Sequence, residues 1–297
     1  MGGGSVERDI SLLTGDGVMQ ALRTLDYPAT RVDLGDGLVD ELRRLRPAAV
    51  FNALHGGAGE DGTVQAVLEW LGCGYQGAGV RASAIAMDKW ATKSIARSLD
   101  LPVARGVRLS KDEAADVAVA RRFGLPCVVK PRAEGSAVGV SIVRDVGQWP
   151  DAVAEASIGG GEILVEEYIA GREFTVAIFE EAALPVVEII PRDAFYSYTA
   201  KYAPGGSKHV VPAELPDEVA HRMQRAALAL HGALGARDYS RVDILMEATG
   251  RLAVLECNTL PGLTATSLLP DAARAAGIAY EAVVERLVLC ALSRSRA

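Results

Sequence analysis

The sequence predicts a mixed α/β and α+β protein, and three observations carry that expectation. First, the apolar run Ala48–Leu54 ends in a glycine loop, His55-Gly-Gly-Ala-Gly-Glu-Asp-Gly-Thr63, and an apolar-periodic helix over Val64–Leu71 follows. Strand, glycine loop and helix in that order is the α/β pattern, with the loop at the carboxyl end of the sheet where ligands bind. Second, short Val-, Ile- and Leu-rich runs dominate the middle of the chain, at 103–109, 127–130, 140–143, 163–166, 173–178 and 185–190. Third, two alternating runs near the C-terminal end, 241–247 and 252–258, flank Thr249-Gly250 and predict a hairpin.

Composition narrows the function classes. A chain of 297 residues can bury a large core and accommodate one to three domains. Its net charge of -7 argues against a nucleic-acid or anionic-membrane surface, and no apolar run reaches the roughly 20 residues of a membrane span. No basic-then-apolar signal peptide opens the sequence. Cys73, Cys127, Cys257 and Cys290 are scattered without a Cys-x-x-Cys pair, so they read as buried thiols of a cytoplasmic protein. Only six of the 31 basic residues are lysines, so a lysine bordering a special loop is informative.

In chain order, Gly2–Asp9 leads into a helix with apolar positions Leu12, Met19, Leu22 and Leu25. The glycines at its start are either an anion-binding loop with free N–H groups or a tag-like tail. A short strand over Arg31–Leu34, a helix over 37–46 and the strand at 48–54 come next. A long helix from about Val80 to Leu99 carries Lys89. Between the strands at 127–130 and 140–143, the loop Glu134-Gly-Ser-Ala-Val-Gly139 has Lys130 at its entrance; it is either an ordinary turn or a cover for phosphates, and it is not a P-loop. Residues 191–212 show little periodicity, and ordered loops of that length are usually functional. A helix over 216–234, the hairpin, and two closing helices, the last over about Tyr280–Leu292, complete the chain.

The hairpin carries the sharpest chemistry. With the turn centred between Thr249 and Gly250, Arg241 faces Asn258 and Asp243 faces Glu256. The same register puts Leu245, Leu252 and Val254 on that polar face. Two carboxylates directly opposite one another repel. A cation between them is expected, and the all-oxygen set Asp243, Glu256 and Asn258 suits Mg2+.

The ordered set His55–Thr63, Met87-Asp-Lys89, Glu134–Gly139, Glu173-Phe-Thr-Val, Lys201-Tyr202, Arg241-Val-Asp243 and Glu256-Cys-Asn258-Thr-Leu-Pro-Gly262 resembles the D-alanine–D-alanine ligases of the ATP-grasp superfamily. The likeness spans essentially the whole chain. It implies an ATP-grasp fold: an N-terminal parallel α/β domain over 1–88, here lacking its first strand, and two domains, 89–172 and 173–297, that clamp ATP. The implied reaction joins two D-alanines through an acyl phosphate for peptidoglycan synthesis, with ATP and two Mg2+ or Mn2+ ions. Asp243, Glu256 and Asn258 would hold the metals; Lys89, Lys130 and Lys201 would contact phosphates; Glu166, Ile169 and Glu173 would border adenine and ribose. Glu7 and His55 would take the first D-alanine, Ser267 and Leu268 the carboxylate of the second, and Arg241 with the Gly262 N–H the tetrahedral oxyanion. Tyr202, Ser136 and Glu7 would form a hydrogen-bonded trio linking the long loop to the substrates.

The resemblance also implies that Tyr202 goes with an amine nucleophile, where ligases that use D-lactate place Phe, and it implies a homodimer. Two departures from the family pattern carry expectations. The strand that normally precedes the glycine loop is missing, which predicts an assigned start one strand late and a loosely held Glu7. Ala133 stands where a basic residue is common, and Arg132 is the expected substitute. The rivals are a ligase for another D-amino acid or D-hydroxy acid as second substrate, and a weakly active nucleotide-binding homologue.

Overall fold

The computed structural model describes residues 1–159, 161–192 and 206–295. Two antiparallel sheets dominate it. The first is built from β1 (Gly106–Leu109), β2 (Cys127–Pro131), β3 (Ser141–Val143) and β4 (Ile163–Glu167), in the order β1-β4-β2-β3. The helices α6 (Lys111–Ala115), α7 (Ala118–Phe123) and α8 (Trp149–Ala156) supply the rest of its core, with Ala114, Val119, Trp149 and Val153 packed on Cys127, Val129, Ile163 and Val165. Trp149 is fully buried and its indole N–H reaches the Ala114 carbonyl at 2.8 Å, so the one polar atom of the side chain is satisfied.

The second sheet joins β5 (Gly171–Phe179), β6 (Ala182–Ala183), β7 (Val187–Pro191), β8 (Ser207–Val210), β9 (Tyr239–Glu247) and β10 (Leu252–Asn258), in the order β10-β9-β5-β7-β8 with β6 on β5. Its central strand β5 is buried from Phe174 to Phe179 and, Thr175 apart, apolar over that span, because both faces are covered there. Phe174, Val176 and Ile178 face α9 (Asp217–Leu234), while Ala177 and Phe179 face α10 (Leu268–Ala275) and α11 (Tyr280–Leu292). The closing pair of helices and the helix before the hairpin therefore form as predicted.

The predicted helix over 80–99 is two helices, α4 (Val80–Met87) and α5 (Lys89–Ser98). Asp88 interrupts them with extended backbone, and its carboxylate accepts the N–H groups of Trp90 and Ala91, each at 3.0 Å. An aspartate can cap a new helix more favourably than it can sit inside one, and Arg132 holds this one from across the chain. Lys89 consequently opens a helix rather than riding in the middle of one. Ala96 of α5 packs on the second sheet's core, with Phe174 and Val254.

The N-terminal region differs most from expectation. Residues 31–34 and 48–54 form no ladder; a single parallel bridge, Val50 with Tyr75, is present among the described residues of this region. Side chains replace the missing ladder partners: Asn52 N–H donates to Gln76 Oε1, Gly3 N–H to Asp33 Oδ1, and Gly2 N–H to Ser11 Oγ. Met1 makes one rung with the 32–34 segment, donating to the Val32 carbonyl and accepting from the Leu34 N–H. An apolar cavity of about 430 Å³ lies between the two extended segments. The first helix, α1 (Arg8–Thr24), buries Ser11, Thr14, Gly15, Val18, Ala21 and Leu22, so its inward face is rotated from the predicted stripe toward small and hydroxyl residues. The helices α2 (Leu38–Leu45) and α3 (Thr63–Trp70), which pack together with Leu54 and Tyr75, form as predicted to within a residue.

The hairpin register is right at one end and shifted at the other. Arg241 pairs with Asn258 and Asp243 with Glu256, but Val254 pairs with Ile244 and Leu252 with Met246, with a bulge between Val254 and Glu256. One extra residue reverses which way the strand's side chains point. Leu252 and Val254 thus leave the polar face and join the core with Val242 and Ile244, and Ala253 takes the place beside Leu245.

Trp149→Ala is expected to lower stability by about 3–5 kcal/mol, whereas Trp70→Ala, at a site 72% exposed, should change it by less than about 0.5 kcal/mol. Urea unfolding followed by far-UV circular dichroism measures both.

Candidate active site

Asp243 is buried, and the geometry around it explains how two facing carboxylates coexist. Arg241, two residues away on the same face, donates from Nε at 2.9 Å and from its terminal nitrogen at 3.0 Å, and Thr175 Oγ1 on β5 donates at 2.6 Å. Glu256 lies 3.5 Å from the Lys89 ammonium, so each carboxylate has its own counter-charge. Asn258 presents its amide oxygen beside them and accepts the Leu260 N–H at 2.8 Å. Two carboxylates and an amide, all oxygen donors, fit a hard divalent cation. Among the described residues no cluster of three or more His, Cys, Asp or Glu is arranged to hold a metal, so this mixed set is the candidate.

A second charged centre lies between the sheets. Glu166 on β4 accepts from Lys130 on β2 at 2.8 Å and from Lys93 on α5 at 2.5 Å, and all three groups are buried. Burial disfavours the Glu166 charge, but Lys130 and Lys93 outweigh it and hold the carboxyl at about 2. Burial and then the neighbouring Lys130 charge push Lys93 down to about 7, whereas for Lys130 the attraction of Glu166 exceeds the burial penalty and raises it. Lys93 escaped the sequence reading. Its signal was available: it follows Lys89 by four residues on a helix, and so shares its face. The Glu166 carboxylate, expected at the rim of the nucleotide, bonds these two ammonium groups.

At the N-terminal side Glu7 is buried rather than loosely held. Ser136 Oγ donates to its Oε1, across 129 residues of sequence. Gly56 and Gly135 flank the other oxygen: a side-chain carbon on Gly56 would come 2.4 Å from Glu7 Oε2, so only glycine, here at a φ of 68°, permits the approach. Ser136 and Ala137 themselves hold left-handed backbone, with φ of 49° and 57°, which turns the loop toward Glu7. Lys89 anchors the same loop by donating to the Glu134 carbonyl. His55 is gripped from both sides, with Nε2 2.8 Å from Thr14 Oγ1 and Nδ1 3.5 Å from Glu60 Oε1; neither partner was anticipated.

The turn after β10 completes the site. A side-chain carbon on Gly262 would sit 2.8 Å from Ser267 Oγ and 3.7 Å from the His55 ring, so a glycine here lets the backbone come close to both groups. Ser267 precedes α10, which Leu268 opens, and its hydroxyl accepts the Thr264 N–H at 3.1 Å.

One cavity of about 1100 Å³ gathers Glu7, His55, Lys89, Ser136, Arg241, Glu256, Asn258, Gly262, Ser267 and Leu268. Asp243 stands behind Arg241, and Lys130, Glu166, Ile169 and Glu173 lie off this cavity. Ile169 is buried with Ala104 and Ala253; Glu173 is on β5 opposite Ile189 and Leu245. Lys201 and Tyr202 fall outside the described residues. Arg132 does not serve as a free cation for the loop, because its guanidinium is committed to Asp88 and Glu162.

The family model for the D-ala D-ala ligase C-terminus matches residues 95–289. The D-alanine–D-alanine ligase of Gluconobacter oxydans is 45% identical over 99% of this chain and 98% of its own length. The chain belongs to the D-alanine–D-alanine ligase family. Within the family, the ligase of Granulibacter bethesdensis is also 45% identical, over 99% of this chain and 97% of its own. The crystal structure of the Bacillus anthracis ligase superposes with a TM-score of 0.87 at 36% identity, covering 99% of this chain and 96% of that one. The structure of the Bacillus anthracis ligase complexed with ATP superposes with a TM-score of 0.86 at 33% identity. The ATP-grasp fold class expected from the motifs is therefore correct, although the N-terminal sheet is reduced to one bridge.

Glu166→Gln leaves two buried ammonium groups unpaired and is expected to cost about 3–5 kcal/mol. The wild-type contribution of Glu166 is fully present above its unfolded value of 4.5 and is lost as pH falls toward about 2. Urea midpoints measured from pH 2 to 6 should therefore fall less steeply with acid in the variant than in the wild type.

Proposed function

We propose that this protein joins two D-alanines into D-alanyl-D-alanine with conversion of ATP to ADP and phosphate. The observation that carries the reading is the cavity that brings Glu7 and His55, Arg241 and Gly262, and Lys89 and Glu256 to one place. In the first step a carboxylate oxygen of the donor D-alanine takes the γ-phosphoryl group of ATP, and ADP leaves. The amine of the acceptor then attacks the acyl carbon, loses a proton, and phosphate departs.

Phosphoryl transfer asks the protein for position and charge neutralisation rather than covalent chemistry. Glu7, fixed by Ser136, pairs with the donor's ammonium and aims its carboxylate toward Arg241. Arg241 and the Gly262 N–H stabilise the oxyanion that forms when the amine attacks. Lys89 and Lys130 neutralise phosphate oxygens, with Glu166 and Lys93 setting the position of Lys130. Asp243, Glu256 and Asn258 would hold two Mg2+ or Mn2+ ions, which supply charge stabilisation on the phosphates when bound. Ile169 and Glu173 would border adenine and ribose, and Ser267 and Leu268 the acceptor's carboxylate. Lys201 and Tyr202 would close the site, Tyr202 favouring an amine over a hydroxyl nucleophile.

The same reading includes three domains, over 1–88, 89–172 and 173–297, a homodimer and a cytoplasmic location. No helix among the described residues is long and apolar enough to cross a membrane.

Coupled assays of ADP release should show turnover that requires D-alanine, and no dependence on D-alanine would sink the reading. Adding D-lactate to D-alanine at neutral pH should neither speed phosphate release nor give a mixed ester by mass spectrometry. Arg241→Ala should lower kcat by about 100- to 1000-fold, with the ATP affinity measured by calorimetry changed far less.

A further inference from the structure

A charged group at the acceptor end of the cavity takes no part in the roles assigned above. His209 on β8 places Nδ1 2.8 Å from Asp271 Oδ2 on α10, and the other Asp271 oxygen accepts from Arg274 at 2.9 Å. An imidazole nitrogen facing a carboxylate is the donor in that bond. The pairing follows from register: His209 stands opposite Ile189 on β7, and Ile189 packs among Leu268, Leu269, Ala272 and Ala273 of α10. His209, Asp271 and Arg274 all line the large cavity beside Ser267 and Leu268.

The placement of Asp271 poses an electrostatic problem. It lies one helical turn inside α10, with its backbone N–H bonded to the Ser267 carbonyl. A negative charge in the first turn suits the helix, yet it repels a carboxylate ligand held at Ser267 and Leu268. His209 and Arg274 counter it: burial disfavours the Asp271 charge, but hydrogen bonds from His209 and Arg274 prevail and lower its pKa. Asp271 is therefore charged, and its two partners together leave the acceptor end open to an anion. Arg274 is largely exposed while His209 is mostly covered, so the histidine bond is the less screened of the two.

We propose that His209 is a specificity-determining positioning residue for the acceptor D-alanine, acting through its hydrogen bond to Asp271, which partly offsets that carboxylate's charge so that the acceptor's carboxylate can be held beside Ser267 and Leu268. The inference rests on the ligase reading. It concerns only the second substrate: the donor's ammonium and carboxylate are assigned above to Glu7 and Arg241. β8 also follows directly the stretch that carries Lys201 and Tyr202, so the bond ties the strand leaving that stretch to the helix at the acceptor end.

Initial rates over a wide range of D-alanine separate the donor and acceptor constants. His209→Ala should raise the acceptor KM about tenfold, the loss expected for one charge-assisted hydrogen bond, with kcat and the donor and ATP constants within about twofold of wild type. Adding Asp271→Asn to His209→Ala removes the charge that the hydrogen bond offsets and should return the acceptor KM to within about twofold of wild type. An unchanged acceptor KM in His209→Ala overturns the inference. So does a raised KM that the double variant fails to restore, since a purely structural tie would behave that way. Wild-type protein that releases no ADP with D-alanine would instead overturn the ligase reading on which the inference stands.

Discussion

The carboxylate of Glu166, shared by Lys93 and Lys130, is the interaction on which the geometry between the two sheets depends. Lys130 and Glu166 belong to the four-stranded sheet, and Lys93 belongs to α5, which packs on the six-stranded one. The trio thus couples the two sheets at a buried point. Ion pairs of this kind rarely add stability over well-packed apolar residues, because desolvation consumes most of the attraction. What an apolar core could not supply is two ammonium groups held in fixed positions at the seam between the sheets. Removing the carboxylate alone is costly for the same reason, since it strands two charges away from water.

A second coupling works through Asp88. Its carboxylate starts α5, and the Arg132 guanidinium at the end of β2 grips it, while the Lys89 N–H donates to the Arg132 carbonyl at 3.0 Å. One short segment therefore places Lys89 against Glu256 on one side and against the Glu134 carbonyl on the other. The loop so anchored delivers Ser136 to Glu7. A chain of local contacts runs from the hairpin's acidic face to the N-terminal helix, and each link is a hydrogen bond or ion pair between elements far apart in sequence.

Much of this was legible before any coordinates. Hairpin alternation, with Thr249-Gly250 as its turn, placed Arg241 against Asn258 and Asp243 against Glu256, because opposed residues in an antiparallel pair share a face. The bulge at Leu255 was not legible: its residues, Leu252 to Leu255, are apolar in either register, and only packing on Val242 and Ile244 selects one. The break at Asp88 was similarly hidden, since Met87-Asp-Lys89 reads as helix until Arg132 arrives to hold the cap. In the N-terminal region a short alternating segment at 31–34 and an apolar run at 48–54 predicted strands. A strand is defined by its neighbour's hydrogen bonds, and side chains such as Gln76 and Ser11 take those places here.

The sequence by itself determined which chemical groups are present and which of them neighbour each other along a strand or helix: the facing acids of the hairpin, the glycine loops, and the ordered motifs of the family. Local geometry is enough for that, because the periods of strand and helix are set by the backbone. Only the tertiary structure decided the pairings that cross elements: Glu166 with two lysines, Ser136 with Glu7, His55 between Thr14 and Glu60, and His209 with Asp271. Each joins residues whose separation in sequence carries no information about distance until the sheets are packed. Packing decides them because a buried charge or donor has to find its partner within a few ångströms or remain in water.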